Sequence, residues 1–239
     1  MNDTFDSRLH KDGYFLIPAV LAEHQVREAI ARCEAVFHDH ADDPALLKGE
    51  DGSVSGARNL LQLFPDVVNL LVAARPHLFR RLGPAAGVVR VLYFDKPPGR
   101  GWALPWHKDF NIAVRAHGAI GRFRKPTTKA GVPHVEAPDE LLRRMLTVRI
   151  HLDDMTEDNG PLRVIPGSHE NSAEERPPRS VHCLAGDALF MRPLLTHSSA
   201  NSRPGCDRHR RILHFECAPE PSLPDGYAWF EFVPLQGPG

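Results

Sequence analysis

The sequence lacks the features of a membrane-spanning or secreted protein. Its longest apolar runs, such as AAGVVRVLYF at 85–94, end well short of the roughly 20 residues that a bilayer-spanning helix needs. The opening MNDTFDSRLHKDG does not have the basic-then-apolar order that marks a secretory signal. We therefore expect a cytoplasmic protein without a membrane segment.

Cysteine is scarce, and neither sign of charge dominates. The four cysteines include no CxxC pair, which argues against a zinc ribbon or a disulfide framework and predicts reduced thiols. Lys and Arg total 29 against 30 for Asp and Glu, so the formal net charge is −1. Such a chain has no global field that favours nucleic acid or an anionic membrane, so we expect neither as a partner, and any contact with a polyanion would have to be local.

The chain also lacks the strand–helix–strand alternation of a parallel sheet. Residues 1–86 are expected to be mainly helical, with a short strand at KDGYFLIPAVL, an amphipathic helix at LAEHQVREAIARCEAVFHDHA and a polar loop at 41–58. A second helical region, from 60, is broken at Pro65 and Pro76. Short β-rich runs separated by turn sequences follow, at 87–95, 104–114, 145–153, 162–166, 181–191 and 208–217. This pattern predicts one domain over 1–239, mainly β, an antiparallel sandwich or barrel with flanking helices.

Residues 115–144 form a long insertion between predicted strands. Prolines interrupt it, and it carries a basic cluster, GRFRKPTTK. Insertions of this length in a compact β domain are often lids or binding loops. The cluster (Arg122, Arg124, Lys125 and Lys129) is interpreted either as a site for an anionic substrate or as a solvated face.

The segment LPWHKDFNIAV at 104–114 places a histidine and an aspartate in apolar surroundings. In a strand, His107 and Asp109 share one face and Lys108 points away. Such a pair supplies two of the three ligands of the facial triad that holds non-haem Fe(II). His197, after the strand-like run in LFMRPLLTHSSANS, is the best candidate for the third ligand. The alternative is that the pair occurs by chance.

Two further segments place polar side chains where they could meet a carboxylate. In RHRRILHFECAP, Arg208 and Arg210 share one strand face, and a guanidinium matches the planar geometry of a carboxylate. In LTVRIHLDD, Thr147 and Arg149 lie opposite an apolar face. A solvated basic edge is the alternative in each case. His169, in a Pro-Gly-Ser turn, is interpreted as a hydrogen-bonding turn residue.

Taken together, these segments resemble the phytanoyl-CoA dioxygenase family of Fe(II)- and 2-oxoglutarate-dependent oxygenases. The matching pieces are GYFLIPAVL, PWHKD, HLDDMTEDNGPLRVIPGSHE, AGDALFMRPLLTHSS and RRILHFECAP, in the family's order. The resemblance implies a double-stranded β-helix (jelly-roll, cupin-like) core over 87–235 with an outer helical layer over 1–86. It also implies that His107, Asp109 and His197 are the iron ligands. Arg210 is the residue expected to anchor 2-oxoglutarate, with Arg208 as the alternative.

The expected activity is oxidation of an unactivated C–H bond in a small molecule, with O2 consumed and succinate and CO2 released. Family halogenases have a small residue where this chain has Asp109, so the resemblance implies a hydroxylase. Trp102 and Trp106 are expected to line the substrate pocket, and 115–144 to form its lid. Two rival interpretations stay open: a non-catalytic metal-binding or regulatory protein, and a cupin-like metalloenzyme that does not use 2-oxoglutarate.

Overall fold

The computed structural model describes residues 2–99, 101–118, 121–170 and 176–235. The helices are α1 (Asn2–Lys11), α2 (Glu23–Asp39), α3 (Leu60–Leu63), a 3₁₀ helix (Pro65–Ala74), α4 (Arg75–Leu82) and α5 (Asp139–Leu142). The strands are β1 (Tyr14–Ile17), β2 (Leu46–Lys48), β3 (Val54–Ala57), β4 (Gly87–Phe94), β5 (Leu104–His107), β6 (Asn111–Ala113), β7 (Arg124–Lys129), β8 (Val132–Glu136), β9 (Leu146–His151), β10 (Leu162–Val164), β11 (Arg179–Val181), β12 (Ala188–Met191), β13 (His197–Ser199), β14 (Ile212–Ala218) and β15 (Val233–Pro234).

The strands form two principal antiparallel sheets. The major sheet has the order β1-β12-β9-β14-β4-β3-β2, with β15 also paired to β4, and the minor sheet has the order β11-β10-β13-β5. A third sheet, β6-β8-β7, is built mostly from the insertion. The mainly β, jelly-roll core with flanking helices that the sequence predicts is confirmed.

The side-chain alternation of β9 separates the core from the functional site. Leu146, Val148 and Ile150 belong to a hydrophobic core shared with α1, α2, the 3₁₀ helix and α4. Because successive strand residues point to opposite faces, Thr147 and Arg149 point away from that core. The helices therefore cover one face of the major sheet and leave the other face for the site.

Two parts of the chain differ from their predicted secondary structure. The predicted loop at 41–58 contains the hairpin β2–β3, whose short strands include Ser and Gly, residues that favour strands weakly. The predicted strand at 104–114 is two strands in different sheets, and residues 108–110 between them are not in a strand. The amide of Asp109 donates instead to the carbonyl of Pro193, at 2.9 Å.

Two predicted strands are shorter than expected. The run at 181–191 is broken at Gly186, which has φ +89° and lies too close to the carbonyl of Leu21 to carry a side chain. The run at 208–217 enters the sheet only at Ile212. Just before that point, the Arg211 amide donates to a carboxylate oxygen of Asp153, at 2.8 Å.

The structure also describes the cysteines and the lengths of the helices, two features considered in the sequence. All four cysteines are unpaired. Among the described residues, the helices are all too short or too polar to span a membrane.

Acid is expected to weaken the insertion sheet through His134 on β8. This side chain is 1% exposed, its Nδ1 lies 2.9 Å from the Val132 carbonyl, and burial together with the charge of Arg90 lowers its pKa to about 4. Since the unfolded chain binds a proton more readily, His134 costs stability as pH falls from about 6.5 to about 4. The advantage of wild type over His134→Gln in unfolding free energy should shrink over that window by up to about 3 kcal/mol, measured by urea denaturation. A constant difference would contradict this expectation.

Candidate metal centre

Pairing between two strands of the minor sheet brings the two histidines of the predicted triad together. His107 is the last residue of β5 and His197 the first of β13, and the two residues are direct partners in the antiparallel register. Directly opposed residues have neighbouring side chains, and the two imidazole rings have centroids 4.2 Å apart. The register of the sheet thus places the two histidines side by side although they are far apart in the sequence.

Asp109 completes the cluster from just beyond the end of β5. One oxygen lies 3.8 Å from His107 Nε2 and the other 3.7 Å from His197 Nε2. One ligand atom from each of the three residues lies within 4.8 Å of the others. The inner oxygen, Oδ2, is buried and has no hydrogen-bond partner among the described residues. A buried carboxylate oxygen without a partner is costly, so this geometry suits a cation.

The backbone holds both imidazoles in the orientation that a metal requires. The Nδ1 atoms of His107 and His197 lie 2.7 and 2.8 Å from the carbonyls of Pro105 and Leu195. Each carbonyl accepts a hydrogen bond from the Nδ1–H group, which leaves the Nε2 lone pair facing the centre.

Electrostatics favours the protonation states that metal ligands need. Burial lowers the pKa of His197 and so favours the neutral ring. Burial alone would raise the pKa of Asp109, but the neighbouring histidines and Arg149 outweigh that effect and lower it. The centre therefore offers two imidazoles, that of His197 favoured in its neutral form, and one carboxylate, a donor set that fits Fe(II).

A cavity next to this centre is lined by two buried guanidinium groups. Arg210, 1% exposed, and Arg149, 6% exposed, both line it, and their Nε atoms have no hydrogen-bond partner among the described residues. Burial lowers the pKa of Arg210 to about 9 and that of Arg149 to about 10. Among the charges around Arg149, Asp109 most favours its ionised form. Two buried guanidinium groups beside a metal centre would be stabilised by an added carboxylate.

Lys96 brings a third cation close to Arg149 and Arg210, and sequence reasoning missed it. Its ammonium donates to Ser199 Oγ and to the carbonyl of Gly160, both at 3.2 Å, and also to the carbonyl of Ala200. Burial and the two arginines lower its pKa to about 7. The sequence gives no signal for this role, because a lysine before a Pro-Pro-Gly turn is typical of an exposed loop.

The structure separates the remaining predicted site residues. Trp102 lines the inner cavity, its indole N–H donates to the Asp95 carbonyl at 2.8 Å, and the Arg210 guanidinium lies 6.0 Å from its ring. Trp106 is 40% exposed, faces Arg163 and lies outside that cavity's lining. Thr147 is buried but does not line the cavity either. Only Trp102 of these three residues contacts the site.

The two candidate arginines have different surroundings. Arg208 is exposed and pairs with Asp158, at 3.2 Å, whereas Arg210 is buried in the cavity wall. His169 Nε2 lies 3.0 Å from the His10 carbonyl, which fits the predicted turn role.

Two of the four basic residues in the insertion cluster form ion pairs. Arg122 pairs with Asp225 and Glu140, and Lys125 pairs with Glu136.

Comparisons with known proteins agree with this architecture. The model of the phytanoyl-CoA dioxygenase family matches residues 9–210. L-proline trans-4-hydroxylase of Streptomyces griseoviridis is 28% identical over 165 residues, which are 67% of this chain and 53% of that protein, so the match spans about half of the relative's length.

Two solved structures share the fold. SnoK, a non-heme alpha-ketoglutarate-dependent carbocyclase from nogalamycin biosynthesis, superposes with a TM-score of 0.66 at 19% identity, covering 100% of this chain and 94% of that one. HygX from Streptomyces hygroscopicus, with nickel and 2-oxoglutarate bound, gives 0.61 at 14% identity, covering 92% and 87%. Because the family model matches most of the sequence, the chain belongs to the phytanoyl-CoA dioxygenase family.

Proposed function

We propose that the protein is an Fe(II)- and 2-oxoglutarate-dependent oxygenase that hydroxylates a C–H bond of a small molecule. One observation carries the proposal: a two-histidine, one-carboxylate cluster adjoins a cavity lined by two buried guanidinium groups, and a carboxylate oxygen and both Nε atoms have no hydrogen-bond partner among the described residues. The cluster is suited to the metal and the guanidinium groups to a dicarboxylate.

In this proposal, His107, Asp109 and His197 hold the iron on one face. The Arg210 guanidinium binds the distal carboxylate of 2-oxoglutarate, and Arg149 compensates negative charge nearer the metal. When bound, iron and 2-oxoglutarate supply, with O2, the oxidising power that converts a C–H bond to C–OH, with release of succinate and CO2. The protein orients the ligands and keeps the site in a largely buried cavity.

Several observations favour this proposal over its rivals. A metalloenzyme that does not use 2-oxoglutarate, or a regulatory protein, gives no reason to bury two guanidinium groups beside the cluster, Arg210 and Arg149, whose Nε atoms have no hydrogen-bond partner among the described residues. Asp109 occupies the position that is small in family halogenases, and the curated relative is a hydroxylase. That relative's name makes small amino acids, L-proline first, the initial substrates to test.

Anaerobic addition of Fe(II) and 2-oxoglutarate is expected to produce the weak visible charge-transfer band of the iron–keto-acid chelate. The band should saturate at one equivalent of each component and should be absent when succinate replaces 2-oxoglutarate, because succinate has no keto group to chelate the metal. Absorption spectroscopy under argon measures it. Iron binding without a band would overturn the assignment of 2-oxoglutarate as cosubstrate.

A further inference from the structure

A second cavity borders the metal centre. Its volume is about 230 Å³, and it shares His107 and Asp109 with the inner cavity. Apolar side chains form much of its wall (Leu47, Ala57, Leu92, Phe94 and Phe110). A substrate in this space would lie directly beside the metal ligands.

The charged groups of this outer cavity are not equally free to bind a ligand. Arg90 is neutralised by Glu216, with its Nε 2.9 Å from a carboxylate oxygen. The ammonium of Lys108 donates to the Ser168 carbonyl, at 2.9 Å. Arg58 and Lys129 also line the cavity, and neither side chain forms a hydrogen bond or ion pair with any described residue. These two cations are therefore the ones available to a ligand.

The two free cations come from different parts of the fold. Arg58 directly follows β3 at one end of the major sheet, and Lys129 ends β7 in the insertion. Of the four basic residues that the sequence singles out in 115–144, Lys129 is the one that reaches this cavity. An anion bound by both side chains would link the insertion to the major sheet.

The surroundings of Arg58 and Lys129 favour the binding of an anion by both side chains. Burial lowers the pKa of each, and the positive charge of Arg90 adds to the effect. Like charges in a partly desolvated pocket are relieved by a bound anion, and an ion pair there is screened less than on an open surface.

We propose that the outer cavity is the substrate site and that Arg58 and Lys129 bind an anionic group of the substrate, a carboxylate or a phosphate. This inference rests on the proposed function, since it places the substrate by its distance from the metal ligands. The apolar wall would hold the carbon skeleton whose C–H bond faces the centre. A cavity of about 230 Å³ is smaller than the roughly 300–1,000 Å³ of pockets for drug-sized ligands, which favours a compact metabolite.

Calorimetric titration with matched probes tests the proposal. The probes are cyclopentanecarboxylate and cyclohexanecarboxylate, the primary amide of each, and cyclohexyl phosphate. Titrations are run on the protein as purified and on protein loaded anaerobically with Fe(II) and 2-oxoglutarate. We expect a carboxylate or the phosphate ester to bind at least about tenfold more tightly than the amides, because a charge-assisted hydrogen bond is replaced by a neutral one. Tighter binding of the phosphate ester would point to a phosphorylated metabolite, and tighter binding of a carboxylate to a carboxylic acid.

Substitutions assign that preference to the two cations. Arg58→Gln and Lys129→Gln should each reduce the preference about tenfold or more. The matched control is Arg124→Gln, which removes an exposed charge from β7 and should leave the preference unchanged.

Two outcomes would overturn the proposal: no preference for anions in the wild-type protein, or a preference that survives both substitutions. The charge-transfer band reports the metal and 2-oxoglutarate sites independently of the probes, so its presence in every variant shows that a failure to bind the probes is not a failure of the Fe(II) and 2-oxoglutarate assignment.

Discussion

Replacing Asp109 by alanine is expected to lower Fe(II) affinity about 100-fold or more and to reduce turnover to that of the metal-free protein. The substitution removes the only carboxylate of the cluster and leaves two imidazoles, which hold Fe(II) weakly. The buried Arg149 also loses the negative charge that most favours its ionised form. The affinity is measured by anaerobic titration with Fe(II), and turnover by succinate formation from 2-oxoglutarate.

A folding defect would be distinguished by thermal denaturation with and without metal. Ligands that bind only the native state raise the melting temperature, so Fe(II) should stabilise wild type and leave Asp109→Ala unchanged. Asp207→Ala, which removes an exposed carboxylate, should behave like wild type in both experiments. Wild-type turnover in Asp109→Ala would refute the triad.

The sequence predicts those parts of the fold and site that depend on local pattern. Alternation in LTVRIHLDD identified Leu146 and Ile150 as core residues and Arg149 as pointing away from the core, because strand geometry alone fixes the face of each side chain. The His-x-Asp spacing similarly placed His107 beside Asp109.

Features that depend on tertiary contacts are harder to predict from the sequence. Residues 108–110 leave the strand because the Asp109 amide pairs with the distant Pro193 carbonyl, which no local pattern encodes. The segment 208–211 directly precedes the strand residues ILHFECA, yet it lies outside the sheet, and Arg208 pairs at the surface with Asp158. Arg58 was missed because its role depends on a cavity formed with Lys129, far away in the chain.

The buried charges that suit the site to ligand binding also lower the stability of the ligand-free protein. Without ligands, the inner cavity buries unneutralised guanidinium groups, and the metal cluster buries a carboxylate oxygen without a partner. Each of these features costs folding free energy, and a metal ion or a dicarboxylate would offset it. Bound ligands should therefore stabilise the protein strongly, and removing the buried charge of Arg210 should not destabilise the ligand-free form.

Arg210 provides the sharpest test of this argument. Arg210→Met keeps most of the side-chain volume and removes the charge, so it should raise the 2-oxoglutarate concentration for half-maximal turnover about 100-fold while Fe(II) binding is retained. Arg210→Lys should restore little, because an ammonium does not reproduce the planar, two-point geometry of a guanidinium. Steady-state succinate formation at varied 2-oxoglutarate measures the effect.

The matched control, Arg208→Met, removes a guanidinium that is exposed and paired with Asp158, and it should leave the 2-oxoglutarate requirement within about twofold of wild type. In the absence of ligands, Arg210→Met should unfold at the same urea concentration as wild type or a higher one, because a buried charge without a counterion has been replaced by an apolar group. An increased 2-oxoglutarate requirement in Arg208→Met alone would move the carboxylate site to the surface arginine. Arg210 would then be expected to bind a different anionic ligand, because its charge is buried beside the metal centre without an ion-pair partner among the described residues.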